Sequence, residues 1–269
     1  MIVEKCVGVV LAGGNGTRLQ PLTRTINKHL LPVNGEPMLH WPIQALASLG
    51  IDEIIMVLGG KSCGNVIEHF GSSYGRHGIS ISYVYQQQAG GIPDAFACAA
   101  PLLESMNATR AVIVLGDNIF PNGIDPDSRH QLIKPGVGNA VVLAKTDLID
   151  VASYGCAAVP VGFSGNFGSP HLPVIKLVEK PNDEPSKYDH ELSGYKWAAL
   201  LGVYSVPLPY ASKYCKSLRP SKRGELEIVD LLSAFAKDDA LIIENQKQKW
   251  IDAGDPRGYE LSNDVGFWS

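Results

Sequence analysis

The chain has 269 residues, of which 45% are hydrophobic and 19% are charged, and its formal net charge is −4. This balance is typical of a globular protein with a substantial core, and the negative charge argues against a general nucleic-acid-binding protein. Because the N-terminus leads straight into an apolar strand and no apolar run reaches membrane-spanning length, we expect a cytoplasmic protein without a membrane contact.

Strand-like apolar runs alternate with helical patterns in the first half of the chain. This alternation predicts a parallel sheet with right-handed crossovers, and such a sheet binds ligands beyond the carboxyl ends of its strands. The pattern predicts strands at 7–11, 53–58, 79–85 and 111–115, and helices at 37–49, 65–70 and 92–106, the last with a kink or end at Pro101.

The second half is predicted to contain shorter elements. A loop rich in Pro, Gly, Asn and Asp covers 121–138, with one helical turn near Gln131. Asp255 followed by Pro256 has the pattern of an N-cap and first helical position of a last helix. No repeat or linker is visible, so we expect a single domain over 1–269. The remaining predictions are strands at 140–145, 155–161, 174–178, 197–205, 240–243 and 249–251, a turn at 162–169, and helices at 207–218 and 224–237.

A glycine-rich turn, AGGNG at 12–16, ends the first strand, and two cations follow it, Arg18 and Lys28. Glycines let the backbone approach a ligand closely, and successive amide N–H groups can form an anion-binding nest. The turn is not a Walker A loop, and Leu19 stands where a dinucleotide fingerprint needs its third glycine. The segment predicts a polyphosphate-binding site; a tight turn with solvated cations is the alternative.

A glutamine run and two aspartates are further candidates. Within YQQQAGGIPD at 85–94, the amide of Gln86 can donate to and accept from a pyrimidine edge. Asp117 closes the strand at 111–115, and Asp252 follows another strand far along the chain. A lone aspartate is often only a turn cap, whereas Mg²⁺ needs several oxygen ligands together.

The string LAGGNGTRLQPLT at 11–23, with NKHLLP after it, resembles the signature of the sugar-1-phosphate nucleotidyltransferases. The resemblance covers about 5–265 and is strongest to the short form of the glucose-1-phosphate thymidylyltransferases in that family. It implies a Rossmann-like, three-layer α/β fold with a central mixed, mostly parallel sheet. It also implies a nucleotide-binding half at about 1–120 and a sugar-phosphate-binding half at about 121–269. The later matching strings are VLGDNIF at 114–120, YG at 154–155, VEKP at 178–181, RGELE at 223–227 and WIDAG at 250–254.

The resemblance assigns roles to individual residues. Arg18, Lys28 and Lys180 are the implied catalytic cations, and Asp117 and Asp252 the implied Mg²⁺ ligands. We expect the carboxyl oxygens of the two aspartates to lie within about 5 Å of each other. The implied nucleotide-binding residues are Leu11, Ala12, Gly13, Gly14, Gly16, Thr17, Arg18, Gln86, Gly91 and Asp117. The implied sugar-phosphate-binding residues are Asn118, Tyr154, Gly155, Glu179, Lys180, Leu200 and Arg223.

The implied reaction is in-line attack of a sugar 1-phosphate, most simply glucose 1-phosphate, on the α-phosphorus of dTTP with Mg²⁺. The same chemistry with UTP or another sugar is the first alternative. The sugar is left open because Leu201 replaces a threonine of the family and removes a hydroxyl near the expected sugar site. A non-catalytic nucleotide-sugar sensor or regulatory subunit is the second, and an NAD-dependent oxidoreductase a distant third. We expect small-molecule substrates and no nucleic-acid partner; a homo-oligomer is left open.

Overall fold

A computed structural model describes residues 5–60, 62–75, 78–134, 138–145, 154–160, 176–180, 194–238, 240–245 and 247–269. None of the helices in these ranges is long and apolar enough to cross a bilayer. The strands are β1 (Cys6–Ala12), β2 (Pro32–Val33), β3 (Glu36–Pro37), β4 (Glu53–Gly59), β5 (Ser73–Tyr74), β6 (Ile79–Gln86), β7 (Arg110–Leu115), β8 (Asn118–Ile119), β9 (Ala140–Lys145), β10 (Gly155–Pro160), β11 (Lys176–Glu179), β12 (Tyr195–Pro207), β13 (Leu241–Asn245) and β14 (Ile251–Asp252). The helices are α1 (His40–Ser48), α2 (Cys63–Phe70), α3 (Ile92–Ser105), α4 (Pro126–Ile133), α5 (Leu208–Cys215), α6 (Ile228–Lys237), α7 (Pro256–Ser262) and α8 (Val265–Trp268).

Ten strands form one sheet in the order β11-β10-β12-β7-β1-β4-β6-β5, with β9 paired to β12 and β13 paired to β9. The pairs β7–β1, β1–β4 and β4–β6 are parallel, because α1, α2 and α3 provide the crossovers that parallel pairing needs. Strand β12 pairs antiparallel with β7, β9 and β10. The expected mixed α/β sheet is confirmed; its parallel pairing lies in the first half and at β9–β13.

Helices cover both faces of this sheet, and the alternation along β1 shows why. Val7, Val9 and Leu11 face a core layer that includes α3, α5 and α6. Val10 and Ala12 face the opposite layer, which includes α1, α2 and α4. Because side chains alternate along a strand, an apolar run such as β1 can fill both layers at once. The three-layer Rossmann-like arrangement is therefore as expected.

The loop expected at 121–138 is wrong in part, and one of the two alternatives for Pro101, an end of the helix, is excluded. Residues 126–133 form a helix rather than one turn within a loop; Asp125 caps it by accepting a hydrogen bond from Asp127 N, and Leu132 is buried. Helix α3 does not end at Pro101. Pro101 and Ala97 are both exposed, so water can bond the Ala97 carbonyl that lacks an intrahelical donor. The turn expected at 162–169 lies outside the described residues.

Candidate functional site

A cavity of about 500 Å³ opens at the edge of the sheet where β1, β6, β7 and β11 end. Residues from both halves of the chain line it. The residues that the sequence singled out and that line this cavity are Leu11, Gly13, Gly14, Arg18, Lys28, Gln86, Gly91, Asp117, Asn118, Tyr154, Gly155, Glu179, Lys180, Leu200, Arg223 and Asp252.

Three residues assigned to the nucleotide do not line the cavity. Ala12 is buried in the core layer with α1 and α2. Gly16 has φ 65° and begins a 3₁₀ turn at Thr17–Leu19, where the left-handed backbone favours glycine. Thr17 is exposed within that turn. The geometry gives these positions a part in shaping the glycine-rich loop.

The two cations after the glycine turn lie in opposite environments. The Arg18 side chain is exposed at the cavity, and no residue in the described ranges forms an ion pair or hydrogen bond with it. Lys28 is buried, and its Nζ lies 2.6 Å from Oδ2 of Asp117. Burial raises the pKa of Asp117, but the Lys28 charge and hydrogen bond outweigh it and hold that pKa below its usual range. Arg18 is thus free to meet an anion, while Lys28 is already engaged.

His29 is a cavity residue that the sequence reasoning did not assign. It is 1% exposed, and its backbone N and ring Nδ1 both lie 3.0 Å from Oδ1 of Asn27. Burial, together with the neighbouring Lys28 charge, lowers the pKa of His29 to about 3. The ring is neutral at physiological pH, so the fixed positive charge at this wall of the cavity belongs to Lys28.

Asp117 and Asp252 come together because β8 and β14 pair antiparallel, with Asn118 opposite Asp252. The Ala253 N–H donates to the Asp117 carbonyl at 2.8 Å. A Cβ placed on Gly254 would lie 2.6 Å from Oδ2 of Asp117 and 2.8 Å from Oδ1 of Asp252. The two oxygens are therefore separated by no more than the sum of these distances, close to the expected separation of about 5 Å.

Electrostatics at this aspartate pair suit a cation. Burial, then the Asp117 charge, raises the pKa of Asp252 to about 7. Two hard carboxylates that face each other are ligands typical of Mg²⁺, which commonly takes one or two carboxylates and completes its shell with water and substrate phosphates. No group of three potential metal ligands occurs in the described parts of the chain. The pair therefore fits a substrate-bound Mg²⁺ better than a metal held by protein alone.

Gln86 closes the cavity at the end of β6. It is 5% exposed, and its Nε2 donates to Oδ2 of Asp94 at 2.7 Å. Gly91 has φ 95° and forms a bridge with Leu226, whose N–H donates to the Gly90 carbonyl at 2.8 Å. A Cβ on Gly91 would lie 2.1 Å from the Leu226 carbonyl oxygen, so only glycine fits there. This bridge joins the glutamine loop to the segment that carries Arg223.

Arg223 is held by two carboxylates that also line the cavity, those of Glu179 and Glu227. Its Nη2 lies 2.6 Å from Oε2 of Glu227 and 3.2 Å from Oε1 of Glu179. Burial, then the Glu227 charge, raises the pKa of Glu179, and Arg223 and Lys180 oppose that increase. Lys180 has φ 47°, and its N–H donates to the Tyr154 carbonyl at 3.1 Å. Arg223 and Lys180 both face the cavity and could hold a phosphate.

Strand β12 corrects the expectation about Leu201. The register with β9 shifts between Leu200 and Tyr204, and Gly202 has φ 66° within the shift. Leu200 and Tyr204 line the cavity, whereas Leu201 is fully buried in the layer of α1 and α2. Alternation along the strand already pointed to this outcome, because neighbouring side chains face opposite sides of a sheet. Leu201 therefore removes no hydroxyl from the cavity.

Other lining residues also escaped the sequence reasoning. Trp250 Nε1 donates to Oδ1 of Asn118 at 2.6 Å and so fixes the β8–β14 pair from inside the cavity. Asp255 caps α7 as expected, since it accepts from Gly258 N at 2.8 Å, but it lines the cavity as well. Trp250 lies within the WIDAG string at 250–254 and Asp255 directly follows it, so this string could have identified both as site residues.

Comparisons with known proteins agree with this geometry. The chain matches the family model described as nucleotidyl transferase over residues 7–264. A glucose-1-phosphate thymidylyltransferase of Neisseria meningitidis is 30% identical over 249 residues, which cover 92% of this chain and 77% of that protein. The nucleotidyltransferase Agl11 of low-salt glycan biosynthesis in Haloferax volcanii is 31% identical over 262 residues, covering 96% of this chain and 65% of that protein.

A solved structure supports the same assignment. The Bacillus anthracis protein, assigned as a glucose-1-phosphate thymidylyltransferase and crystallised with sucrose, superposes with a TM-score of 0.76 at 31% identity. The match covers 96% of this chain and 94% of that one. With a family model that matches almost the whole chain and a site that gathers the expected residues, the chain belongs to the nucleotidyl transferase family.

Proposed function

We propose that this protein transfers the nucleotidyl group of dTTP to glucose 1-phosphate and releases pyrophosphate. The observation that carries the proposal is one cavity lined by two sets of cations and by one pair of aspartates. Arg18 and Lys28 come from the first half, Lys180 and Arg223 from the second, and the Asp117–Asp252 pair spans both. Two phosphorylated substrates would need two separate groups of cations, and one metal ion would need the pair of carboxylates.

The nucleotide half would bind the triphosphate at the glycine turn. Gly13 and Gly14 line the cavity, and backbone amides of such turns bind phosphate oxygens. Arg18 offers a planar fork for two phosphate oxygens, whereas Lys28 offers a single buried charge. Gln86, at the end of β6 and beside the glycine turn, would face the base.

The sugar half would hold glucose 1-phosphate with its phosphate directed at the nucleotide. Lys180 and Arg223 supply the charge, and Glu179 is placed to accept hydrogen bonds from sugar hydroxyls. The shared sheet, in which β12 of this half pairs with β7 of the other, supports a single domain over 1–269.

The chemistry needs no general base, because a phosphate oxygen is already anionic. The sugar phosphate oxygen forms a bond to the α-phosphorus, and the bond from that phosphorus to the bridging oxygen breaks, so pyrophosphate leaves with the electron pair. Asp117 and Asp252 would hold Mg²⁺, which when bound neutralises phosphate charge. The remaining acceleration comes from positioning and from the charges of Arg18 and Lys28.

The same site suits UTP or a different sugar 1-phosphate, since thymine and uracil present the same N3–H to Gln86. A panel of nucleoside triphosphates against sugar 1-phosphates with Mg²⁺, followed by pyrophosphate release, tests the proposal. We expect the highest rate with dTTP and glucose 1-phosphate, and no release when either substrate is omitted. Binding of both substrates without release for any pair would favour a non-catalytic sensor instead.

A further inference from the structure

Asp94 is not among the residues that line the cavity, but its carboxylate bonds Gln86, which does line it. Its Oδ2 accepts the hydrogen bond from Gln86 Nε2 at 2.7 Å. The residue stands in the first turn of α3. A Cβ on Gly90 would lie 2.7 Å from both Oδ2 and Cγ of Asp94, so this loop packs directly on the carboxylate. Asp94 is therefore a fixed, negatively charged acceptor.

A fixed acceptor determines which way the Gln86 amide points. An ionised carboxylate accepts hydrogen bonds and cannot donate them, so only the NH₂ group of the amide can face it. The amide oxygen must then point the other way. A Cβ on Gly13 would lie 2.6 Å from Gln86 Oε1, which places this oxygen against the glycine turn at the cavity wall. In the described part of the chain, no donor bonds to that oxygen.

The Gln86 amide thus presents a hydrogen-bond acceptor beside the cavity, and no donor within the described ranges engages it. Thymine and uracil carry a hydrogen on ring N3, whereas cytosine has a lone pair at that atom. An acceptor placed opposite N3 gains a hydrogen bond from the first two bases and repulsion from the third. If the amide were free to rotate, its NH₂ group could instead bond the cytosine lone pair.

We propose that Asp94 is a positioning residue that locks the Gln86 amide and thereby selects bases with an N3–H over cytosine. The proposal rests on the proposed function, in which Gln86 faces the base. The proposal adds to that function a residue that determines base selectivity: the Asp94 carboxylate acts through Gln86 and does not itself contact the nucleotide.

The test compares dUTP with dCTP, which differ only at C4 and N3 of the base. Binding constants for both nucleotides are measured by calorimetry with Mg²⁺ on the wild-type protein and on Asp94→Asn. Asparagine keeps the shape but has its own NH₂ group, which can donate to Gln86 Oε1 and let the amide reverse. We expect the wild-type protein to prefer dUTP at least about tenfold, and Asp94→Asn to bring the two within about threefold.

Two further variants separate orientation from structure. Asp94→Glu keeps an acceptor-only carboxylate and should retain most of the preference for dUTP. Glu104→Gln removes a negative charge from the exposed side of the same helix and should leave both binding constants unchanged. A merely structural role for Asp94 would weaken both nucleotides equally, and an unchanged ratio in Asp94→Asn would overturn the proposal, as would a wild-type protein without preference.

Turnover with glucose 1-phosphate is followed in parallel. If no nucleotide-sugar forms with any pair of substrates, the proposed function fails, and the binding ratio still decides the role of Asp94. If turnover occurs and the ratio does not change, Asp94 alone is wrongly assigned. The two failures are therefore distinguishable.

Discussion

Asp252 faces Asp117 across the β8–β14 pair, but the two carboxylates are not equally compensated. Asp117 has the buried Lys28 ammonium at 2.6 Å. In the described chain, the Asp252 carboxylate accepts one hydrogen bond, from the Gly254 N–H at 2.8 Å. In the protein without substrates, the buried carboxylates of Asp117 and Asp252 therefore repel each other, and a divalent cation would relieve this repulsion.

This repulsion predicts that Asp252→Asn stabilises the protein, and more so at higher pH. The pKa of Asp252 is raised to about 7, above its unfolded value near 3.9, so the folded state binds the proton more tightly. Stability is therefore lost as pH rises between these two values. The asparagine variant escapes this loss, so we expect its melting temperature to exceed wild type by about 2–4 °C at pH 8, which corresponds to about 1 kcal/mol. Thermal melts at pH 5 and pH 8 check this, and a larger gain at pH 5 would contradict it.

Lys28→Met should be strongly destabilising. It leaves Asp117 buried beside Asp252 without a cation, and breaking a buried ion pair from one side costs about 3 kcal/mol or more. Lys5 provides the matched control, because its Nζ lies 2.8 Å from Glu53 but both side chains are more than one-third exposed. Lys5→Met should change the free energy of unfolding by less than about 1 kcal/mol in the same urea titration. Equal effects of the two variants would show that burial of the Lys28 pair is unimportant.

Arg18→Ala should lower turnover by about 100-fold while leaving stability unchanged. Arg18 is exposed and has no partner among the described residues, so the folded protein does not need it. Its charge matters when negative charge grows on the departing pyrophosphate. Arg18→Lys should restore part of the rate, since the charge returns without the planar fork. Arg24, also exposed and absent from the cavity lining, is the control; a similar loss of rate in Arg24→Ala would point to a general charge effect.

Leu201→Thr should reduce stability without changing the preference among sugar 1-phosphates. The side chain is fully buried in the core layer, so the variant places a hydroxyl in an apolar site and costs about 1–3 kcal/mol. Rates with glucose, galactose and N-acetylglucosamine 1-phosphates are compared before and after the change. A shifted order among the three sugars would mean that position 201 reaches the substrate after all.

The sequence predicts most of the sheet because its strands carry a local signal. Apolar runs such as that of β1 need no knowledge of their partners to be recognised. The helix at 126–133 carried a signal too, since Asp125 and Pro126 repeat the cap pattern that correctly predicted α7 at Asp255. The polar, proline-rich composition of 121–138 is typical of a loop, and it masks this cap pattern.

The candidate site was predictable as a set of residues and not as a set of contacts. The family resemblance implied that Asp117 and Asp252 lie together, and the structure brings them together. Nothing in the sequence specifies that Lys28 bonds Asp117, or that Arg223 contacts both Glu179 and Glu227, because these contacts depend on side-chain conformations set by the whole cavity. The same holds for the hydrogen bond from Gln86 to Asp94, although both residues lie within a single motif.

The most direct test of the central claim follows the phosphorus atoms of the nucleotide. The wild-type protein is incubated with glucose 1-phosphate, Mg²⁺ and dTTP labelled with ³²P at either the α or the γ position. Nucleotidyl transfer predicts that α-label enters the nucleotide-sugar and γ-label leaves in pyrophosphate. Transfer of γ-label to the sugar phosphate, or no transfer of either label while both substrates bind, would contradict the account.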